Sequence, residues 1–255
     1  MALYYLDPNP GGKRPILLLH GLGADGESWG LQFVDLAAAG FRPLAVDLPG
    51  FGQSAAPHGR WTLRLAAAAA VDLLRELGYS RVDVVGHSLG GAVAQTLALD
   101  FPDLVRSLTL VNTFACLRPR TWSETRYLMR RFVVANLRGV RHQAGAVAWR
   151  VFPRADQAAL RDLLIQKILA ADPAVYRAAM RELALFDSRP RLATITAPVL
   201  IITGAEDTTV ALKNQRELAA IPGARQVIVP GANHAITIDQ PQRFNQELLD
   251  FLNHV

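Results

Sequence analysis

One tight turn constrains the fold of this 255-residue chain more than any other sequence feature. An apolar strand pattern leads into residues 86–91, which read Gly-His-Ser-Leu-Gly-Gly, and a helical pattern starts at Leu89 without an intervening loop. Such a turn holds Ser88 at a strained backbone angle and needs Gly86 and Gly90, because a Cβ there would collide with neighbouring backbone. The pattern predicts that Ser88 Oγ stands above a sheet edge, at a helix N-terminus that favours negative charge.

Short apolar runs alternate with helical patterns along most of the chain. The runs contain few polar residues, as strands buried on both faces of a parallel sheet do. The alternation predicts an α/β fold with a mostly parallel, doubly wound sheet. The predicted strands are residues 15–20, 43–47, 82–86, 104–112, 199–204 and 226–229, and the predicted helices are residues 28–39, 63–77, 89–100, 212–221 and 242–252.

Residues 114–190 interrupt the alternation, because they show helical periodicity and no convincing strand. The segment is too long for a connection and too apolar for a linker. We therefore predict a core domain made of residues 1–113 and 191–255, with residues 114–190 inserted as a helical cap over one edge of the sheet.

The predicted cap is also the basic part of the chain. Residues 114–191 contain 15 Lys or Arg and 6 Asp or Glu, whereas the remainder contains 12 basic and 16 acidic residues. A field of one sign over a cleft concentrates ligands of the opposite sign. One interpretation is an anionic substrate, or an acidic acyl-carrier protein docking on the cap, with Arg126, Arg130 and Arg131 at the entrance. The other is an arginine-rich composition with no ligand.

Composition excludes several classes of protein. With 51% hydrophobic residues, the chain is too apolar to be intrinsically disordered. A single cysteine, Cys116, excludes an intrachain disulfide and a cysteine-rich zinc site. We see no apolar run of the ~20 residues that a membrane span needs and no signal-peptide pattern, so we expect a cytoplasmic protein. No aromatic-basic platform supports a nucleic-acid partner.

A base for Ser88 has to come from the same edge of the sheet. Of the histidines that follow Ser88, His142 lies in the predicted cap and His254 is the penultimate residue. His234 lies in the loop after the last predicted strand, at the edge from which Ser88 emerges. We therefore predict that His234 is the base.

The base needs a carboxylate to orient it. Glu206 and Asp207 both follow the strand predicted at residues 199–204, and both qualify by type. Either could instead cap a short helix that begins near Thr208. The two candidates therefore remain open on this ground.

Acyl transfer also needs two hydrogen-bond donors for an oxyanion. The turn supplies the backbone N–H of Leu89, and the loop after the first predicted strand supplies that of Leu22. Because the donor is backbone, the Leu22 side chain is free to shape a pocket. We interpret His20 as a structural residue that holds this loop.

These motifs resemble the α/β-hydrolase superfamily, and serine esterases or lactonases with a helical lid in particular. The resemblance covers the chain outside residues 114–190. It is carried by Leu-His-Gly-Leu-Gly at residues 19–23 with Trp29, Asp-Leu-Pro-Gly-Phe-Gly-Gln-Ser at residues 47–54, the turn at residues 86–91, Asp207 and His234. It favours Asp207 over Glu206 as the acid. The family usually begins with an antiparallel hairpin, for which this chain has only residues 3–6.

The resemblance implies a carboxylic ester hydrolase acting on a small-molecule substrate. Ser88 would attack the carbonyl, His234 would take its proton, and Asp207 would hold the imidazole, with no metal or cofactor required. A serine at position 88 argues against dehalogenase or epoxide hydrolase chemistry, since those relatives have an aspartate there. The alternatives are a C–C bond hydrolase or lyase acting on an anionic dioxo acid, and a slow-turnover ligand receptor of the same fold.

Four aromatic residues are candidates to contact the substrate if the cap closes as in these relatives. They are Trp29, Phe114, Trp122 and Trp149. Their sequence positions do not separate a pocket wall from a packed core, where large aromatic side chains are also common.

Overall fold

The computed structural model describes residues 2–117, 122, 125, 126, 129, 133 and 139–255. At the centre of these residues lies a seven-stranded sheet with the strand order β1-β3-β2-β4-β5-β6-β7. The edge strand β1 runs antiparallel to β3, and every other neighbouring pair is parallel. The strands are β1 (Tyr5–Leu6), β2 (Arg14–Leu19), β3 (Phe41–Val46), β4 (Val82–His87), β5 (Val105–Val111), β6 (Val199–Gly204) and β7 (Arg225–Val229).

Helices cover both faces of this sheet. They are α1 (Gly30–Ala38), α2 (Leu63–Glu76), α3 (Leu89–Asp100), α4 (Gly139–Val151), α5 (Ala158–Ala170), α6 (Pro173–Leu185), α7 (Leu212–Gln215), α8 (Ile236–Asp239) and α9 (Pro241–Leu252). Side chains alternate along β2, so that Leu17 and Leu19 pack with α2 and α3, whereas Ile16 and Leu18 pack with α1 and α9. The predicted doubly wound α/β fold is confirmed.

The helices α4, α5 and α6 lie between β5 and β6 in the chain, within the predicted cap. Their buried side chains, among them Ala144, Ile168 and Tyr176, join the apolar core on the face covered by α2 and α3. The cap helices therefore pack onto the core. The domain boundaries at residues 114 and 190 stay a prediction.

Local structure differs from the predicted elements in four places. The helix predicted at residues 28–39 is preceded by a 3₁₀ turn, Gly26–Trp29, whose start is capped by the Asp25 side chain. The helix predicted at residues 212–221 divides into α7 and the 3₁₀ helix Arg216–Ala220. The short helix α8 was not predicted. The first strand is present, but β1 is only two residues long.

Two features are absent from the part of the chain that the structure describes. It contains no helix long and apolar enough to cross a membrane. It also contains no group of three or more His, Cys, Asp or Glu residues placed to hold a metal ion. Cys116 is buried.

The turn between β4 and α3 depends on close backbone contacts. Ser88 has a φ of +52°, in the left-handed region where a side chain costs conformational energy. A Cβ added to Gly86 would lie 2.3 Å from the carbonyl oxygen of Gly90, and a Cβ added to Gly90 would lie 2.1 Å from that of Leu19. Both positions therefore require glycine.

We predict that Gly90→Ala lowers the free energy of unfolding by about 2–3 kcal/mol, because no side-chain rotation relieves an overlap with backbone. The matched control is Gly145→Ala in α4, where an added Cβ meets nothing within 4 Å. Alanine at this helical position should raise stability by about 0.5–1 kcal/mol. Urea unfolding followed by circular dichroism measures both changes. Similar stabilities for the two variants would contradict the packing argument.

Candidate active site

Ser88 lies at the carboxyl end of β4, where the chain turns into α3. Its N–H donates to the carbonyl oxygen of Val111 at 2.9 Å, and its own carbonyl oxygen accepts from Thr113 Oγ1 at 2.8 Å. These bonds fix the turn to the end of β5. The Ser88 hydroxyl makes no capping hydrogen bond to α3, and the residue lines a cavity. Its oxygen is therefore available for chemistry.

Asp207 and His234 form a buried pair at the same edge of the sheet. His234 Nδ1 lies 2.9 Å from Asp207 Oδ2. Asp207 Oδ1 accepts from the backbone N–H groups of Thr209 at 2.7 Å and Val210 at 2.9 Å, and Oδ2 accepts from Gln215 Nε2 at 3.0 Å. The carboxylate is thus held by its own loop and by α7, which fixes the direction it presents to the histidine.

The protonation of this pair follows from its surroundings. Burial by itself would raise the pKa of the Asp207 carboxyl, but the adjacent His234 and the N–H groups of Thr209 and Val210 outweigh that effect and lower the pKa. An ionised carboxylate only accepts hydrogen bonds, so His234 Nδ1 donates its proton to Asp207 and Nε2 is the ring nitrogen left for other contacts. His234 lines the same cavity as Ser88, and can therefore act as a base there.

Asp207 rather than Glu206 is the carboxylate that contacts the histidine. The Glu206 side chain is exposed, while its backbone N–H donates to the carbonyl oxygen of Ala232 at 2.9 Å. A Cβ added to Gly204, at the end of β6, would lie 2.6 Å from that same oxygen. The acid loop and the histidine loop therefore pass close to each other, which brings Asp207 to His234.

The loop after β2 presents the second predicted oxyanion donor. His20 is fully buried, where its Nε2 accepts from the N–H of Leu48 at 2.9 Å and its Nδ1 donates to the carbonyl oxygen of Gly21 at 2.8 Å. Burial lowers the pKa of His20, which suits this structural role. Leu22 lines the cavity. Leu89 is the first residue of α3, where an N–H has no acceptor within the helix.

Ser88 and His234 open onto a cavity of about 490 Å³. Its wall is mostly apolar, as in most sites for small molecules. The apolar side chains come from the core and from the cap helices, and include Leu22, Leu31, Phe114, Val147, Val151, Phe152, Leu160, Leu163, Leu164, Val210 and Ile238.

The sequence matches the model of a family described as the alpha/beta hydrolase family over residues 16–247. The chain belongs to this family. A relative from Variovorax paradoxus, named "Putative carbamate hydrolase RutD", is 32% identical, and the comparison covers 100% of this chain and 97% of the relative. The resemblance predicted from the sequence motifs is therefore confirmed.

Solved structures of similar proteins agree with this assignment. An enol-lactonase from Burkholderia xenovorans is 29% identical, with a TM-score of 0.88 over 98% of this chain and 96% of that one. A thermophilic esterase from Thermogutta terrifontis is 28% identical, with a TM-score of 0.85 over 99% of this chain and 93% of that one. The similarity thus extends over nearly the whole length of this chain.

One of the four predicted aromatic residues lies in the cavity wall of this alpha/beta hydrolase. Phe114 lines the cavity. Trp29 packs instead in the core between the sheet and helices α1 and α9. Trp122 and Trp149 are 78% and 58% exposed, and the Arg161 guanidinium stacks over the Trp149 ring. None of these three tryptophans lines the cavity among the described residues, and their contact with a substrate stays a prediction.

Asn112 holds the acid and histidine loops together, a role that the sequence analysis missed. Its Nδ2 donates to the carbonyl oxygens of Asn233 at 2.9 Å and His234 at 2.7 Å, and its Oδ1 accepts from the N–H of Gly204 at 2.7 Å. The residue is fully buried and has a φ of +43°, which asparagine tolerates better than most residues. A polar residue directly after β5, at the same edge as Ser88, was the signal available in the sequence.

His87 contacts the catalytic candidate His234 from another side. The two ring centroids are 4.8 Å apart, and His87 Nε2 donates to the His234 carbonyl oxygen at 2.8 Å. Burial, reinforced by the neighbouring His234, lowers the pKa of His87 to about 3. A neutral His87 places no second positive charge beside His234 when that residue takes a proton. His87, the residue before Ser88, therefore helps to hold the proposed base in place.

We predict that Asn112→Asp lowers the free energy of unfolding by about 2–3 kcal/mol. Aspartate has the same shape as asparagine and keeps the oxygen that accepts from Gly204. Its second oxygen replaces Nδ2 and faces the two buried carbonyl oxygens, so two hydrogen bonds are lost. The control is Asn253→Asp, where the side chain is exposed and the change should stay within about 0.5 kcal/mol. Urea unfolding at pH 8 compares them. A loss no larger for position 112 than for position 253 would contradict the role of Asn112.

The lowered pKa of His87 predicts a loss of stability in acid. The unfolded chain binds a proton at this residue as the pH falls below 6.5, whereas the folded chain does so only near pH 3. Stability is therefore complete above pH 6.5 and declines toward pH 3. His87→Gln should reduce the loss measured between pH 8 and pH 5 by about 1–2 kcal/mol. His254→Gln, at an exposed position, should leave the loss unchanged, and equal slopes in both variants would rule out His87 as its source.

Proposed function

We propose that this chain is a serine hydrolase of carboxylic esters that acts through an acyl-enzyme. The observation that carries this proposal is the buried pair of Asp207 and His234, whose Oδ2 and Nδ1 atoms are 2.9 Å apart, because His234 lines the same cavity as a serine on a strained turn. Desolvation makes a buried pair of this kind weak as a source of stability. A histidine that is held by a carboxylate and lines the same cavity as a serine hydroxyl is what nucleophilic catalysis by that hydroxyl requires.

Acylation begins when Ser88 Oγ attacks the ester carbonyl carbon and His234 Nε2 takes the hydroxyl proton. Asp207 keeps Nδ1 protonated and stabilises the imidazolium that forms. The carbonyl oxygen, now negative, receives hydrogen bonds from the N–H groups of Leu22 and Leu89. The dipole of α3 points its positive end at the same place.

Collapse of the tetrahedral intermediate completes the first half of the reaction. His234 gives its proton to the leaving alcohol, and the acyl group stays on Ser88. In the second half, His234 takes a proton from water as the water attacks the acyl carbonyl carbon, and then returns it to Ser88 Oγ. The carboxylic acid leaves and the residues regain their first protonation state.

We expect multiple turnover on p-nitrophenyl esters, with activity rising from the acetate to chains that fill the apolar cavity. Ser88→Ala should lower kcat/KM by at least about 10³-fold, because the nucleophile is lost. The matched control is Ser80→Ala, an exposed serine before β4 at the opposite end of that strand, which should leave kcat/KM unchanged. A stopped assay with purified wild type and both variants measures this.

The same variants separate the competing functions. Unimpaired ester hydrolysis by Ser88→Ala would exclude Ser88 as the nucleophile. Covalent labelling of Ser88 by a fluorophosphonate without multiple turnover on any ester would favour the slow-turnover receptor. Serine-dependent cleavage of a dioxo acid in preference to every ester would favour the C–C bond hydrolase.

A carbamate is the second candidate substrate, because of the name that the Variovorax relative carries. Attack of Ser88 on a carbamate carbonyl would use the same residues. A matched pair separates the two: p-nitrophenyl butyrate, and p-nitrophenyl N-ethylcarbamate, in which NH replaces one methylene group. A higher kcat/KM on the butyrate supports the ester proposal, whereas faster multiple turnover on the carbamate supports the second candidate.

A further inference from the structure

The cavity wall carries one pair of oppositely charged side chains in the part of the chain that the structure describes, Glu27 and Lys167. The other titratable residues in this wall are His87 and the proposed base His234. Ser28, Ser88, Thr209 and Thr237 add neutral polar groups, and the other side chains of the described wall are apolar. Any charge selection by the described wall therefore depends on this pair and its surroundings.

The Lys167 ammonium is already neutralised. It reaches from the cap helix α5 to the loop after β2, where its Nζ lies 2.8 Å from Glu27 Oε2 and also donates to Asp25 Oδ2. Burial alone would lower the pKa of Lys167, but hydrogen bonds to Asp25 and Glu27 raise it. The lysine is thus protonated and surrounded by two carboxylates, so the three residues carry one net negative charge.

Local structure holds both carboxylates in place. Asp25 caps the 3₁₀ turn Gly26–Trp29 by accepting from the N–H of Glu27 at 3.1 Å. Glu27 lies in the first turn of that helix and is 68% exposed, whereas Lys167 is 20% exposed. The negative member of the pair is therefore the more accessible to a ligand.

The arginines predicted at the cap entrance add no positive charge to the described part of this wall. Arg126 is exposed and is absent from the described wall, and Arg130 and Arg131 lie outside the described residues. A carboxylate entering the cavity would lose its hydration in a mostly apolar space. It would also meet Glu27 without finding an unpaired cation in the described wall.

We infer that the cluster of Asp25, Glu27 and Lys167 makes this site select neutral, apolar acyl esters and reject esters that carry a carboxylate. This inference rests on the proposed ester hydrolysis at Ser88. It assigns Glu27 as a specificity-determining residue, and it opposes the expectation of an anionic substrate that the charge of the cap suggests.

Two esters that differ only in charge test this inference. They are the mono-p-nitrophenyl ester of glutaric acid, which ends in a carboxylate, and the corresponding p-nitrophenyl ester of glutaramic acid, which ends in a primary amide of similar volume. The wild type should hydrolyse the amide-terminated ester with a kcat/KM at least tenfold higher. The ratio is measured at low ionic strength, where charge effects are least screened.

Substitutions in the cluster should move that ratio in opposite directions. Glu27→Gln removes the net negative charge and should reduce the preference for the amide-terminated ester at least threefold. The double variant with Asp25→Asn and Glu27→Gln leaves Lys167 without either carboxylate and should favour the carboxylate ester. Lys167→Gln should increase the preference for the amide. Glu76→Gln, at an exposed position on α2, is the matched control and should leave the ratio unchanged.

The outcomes separate this inference from the proposed function. Failure of the wild type to hydrolyse either ester would contradict ester hydrolysis itself. Hydrolysis of both esters with equal kcat/KM, or the same ratio in Glu27→Gln as in Glu76→Gln, would overturn the charge selection and leave ester hydrolysis standing. Because Glu27→Gln changes an exposed side chain without changing its size, thermal unfolding should confirm that the variant remains folded.

Discussion

The arrangement of the site depends on the strained turn at Ser88. A residue with a φ of +52° persists only where its surroundings hold it. Here the backbone of Gly86, Gly90 and the end of β2 packs so closely that no Cβ fits between them. The turn places the serine hydroxyl at the edge of the sheet and the first N–H of α3 beside it. One packing constraint thus positions both the proposed nucleophile and one proposed oxyanion donor.

The other two loops at this edge are held by buried polar contacts. The Asn112 side chain accepts from the N–H of Gly204, at the end of β6, and donates to the carbonyl oxygens of Asn233 and His234. His87 donates to this His234 carbonyl oxygen as well. Asp207 is fixed by its own loop and by Gln215. Each of these groups would be costly to bury without a partner. The hydrogen bonds that satisfy them also orient the proposed base.

The predicted cap contacts three segments at this edge of the sheet, which follow β2, β6 and β7. Lys167 reaches Glu27 after β2, Arg150 Nε donates to the carbonyl oxygen of Thr208 at 2.8 Å, and Gln157 contacts Asp239 close to the histidine loop. The cap therefore does more than supply apolar wall. Its polar contacts fall on the segments that carry one proposed oxyanion donor, the proposed acid and the proposed base.

Sequence alone determined the doubly wound fold, because alternating apolar runs are a local pattern, and a glycine-flanked serine and a loop after the last predicted strand singled out Ser88 and His234 as candidates. The tertiary structure shows that Asp207, which the family resemblance favoured over Glu206, contacts the histidine, since the crossing of two loops brings that carboxylate to it. It also placed Trp29 in the core and showed that Lys167 pairs with Asp25, 142 positions earlier in the chain. Such contacts depend on which surfaces meet after folding, and no local pattern in the chain specifies them.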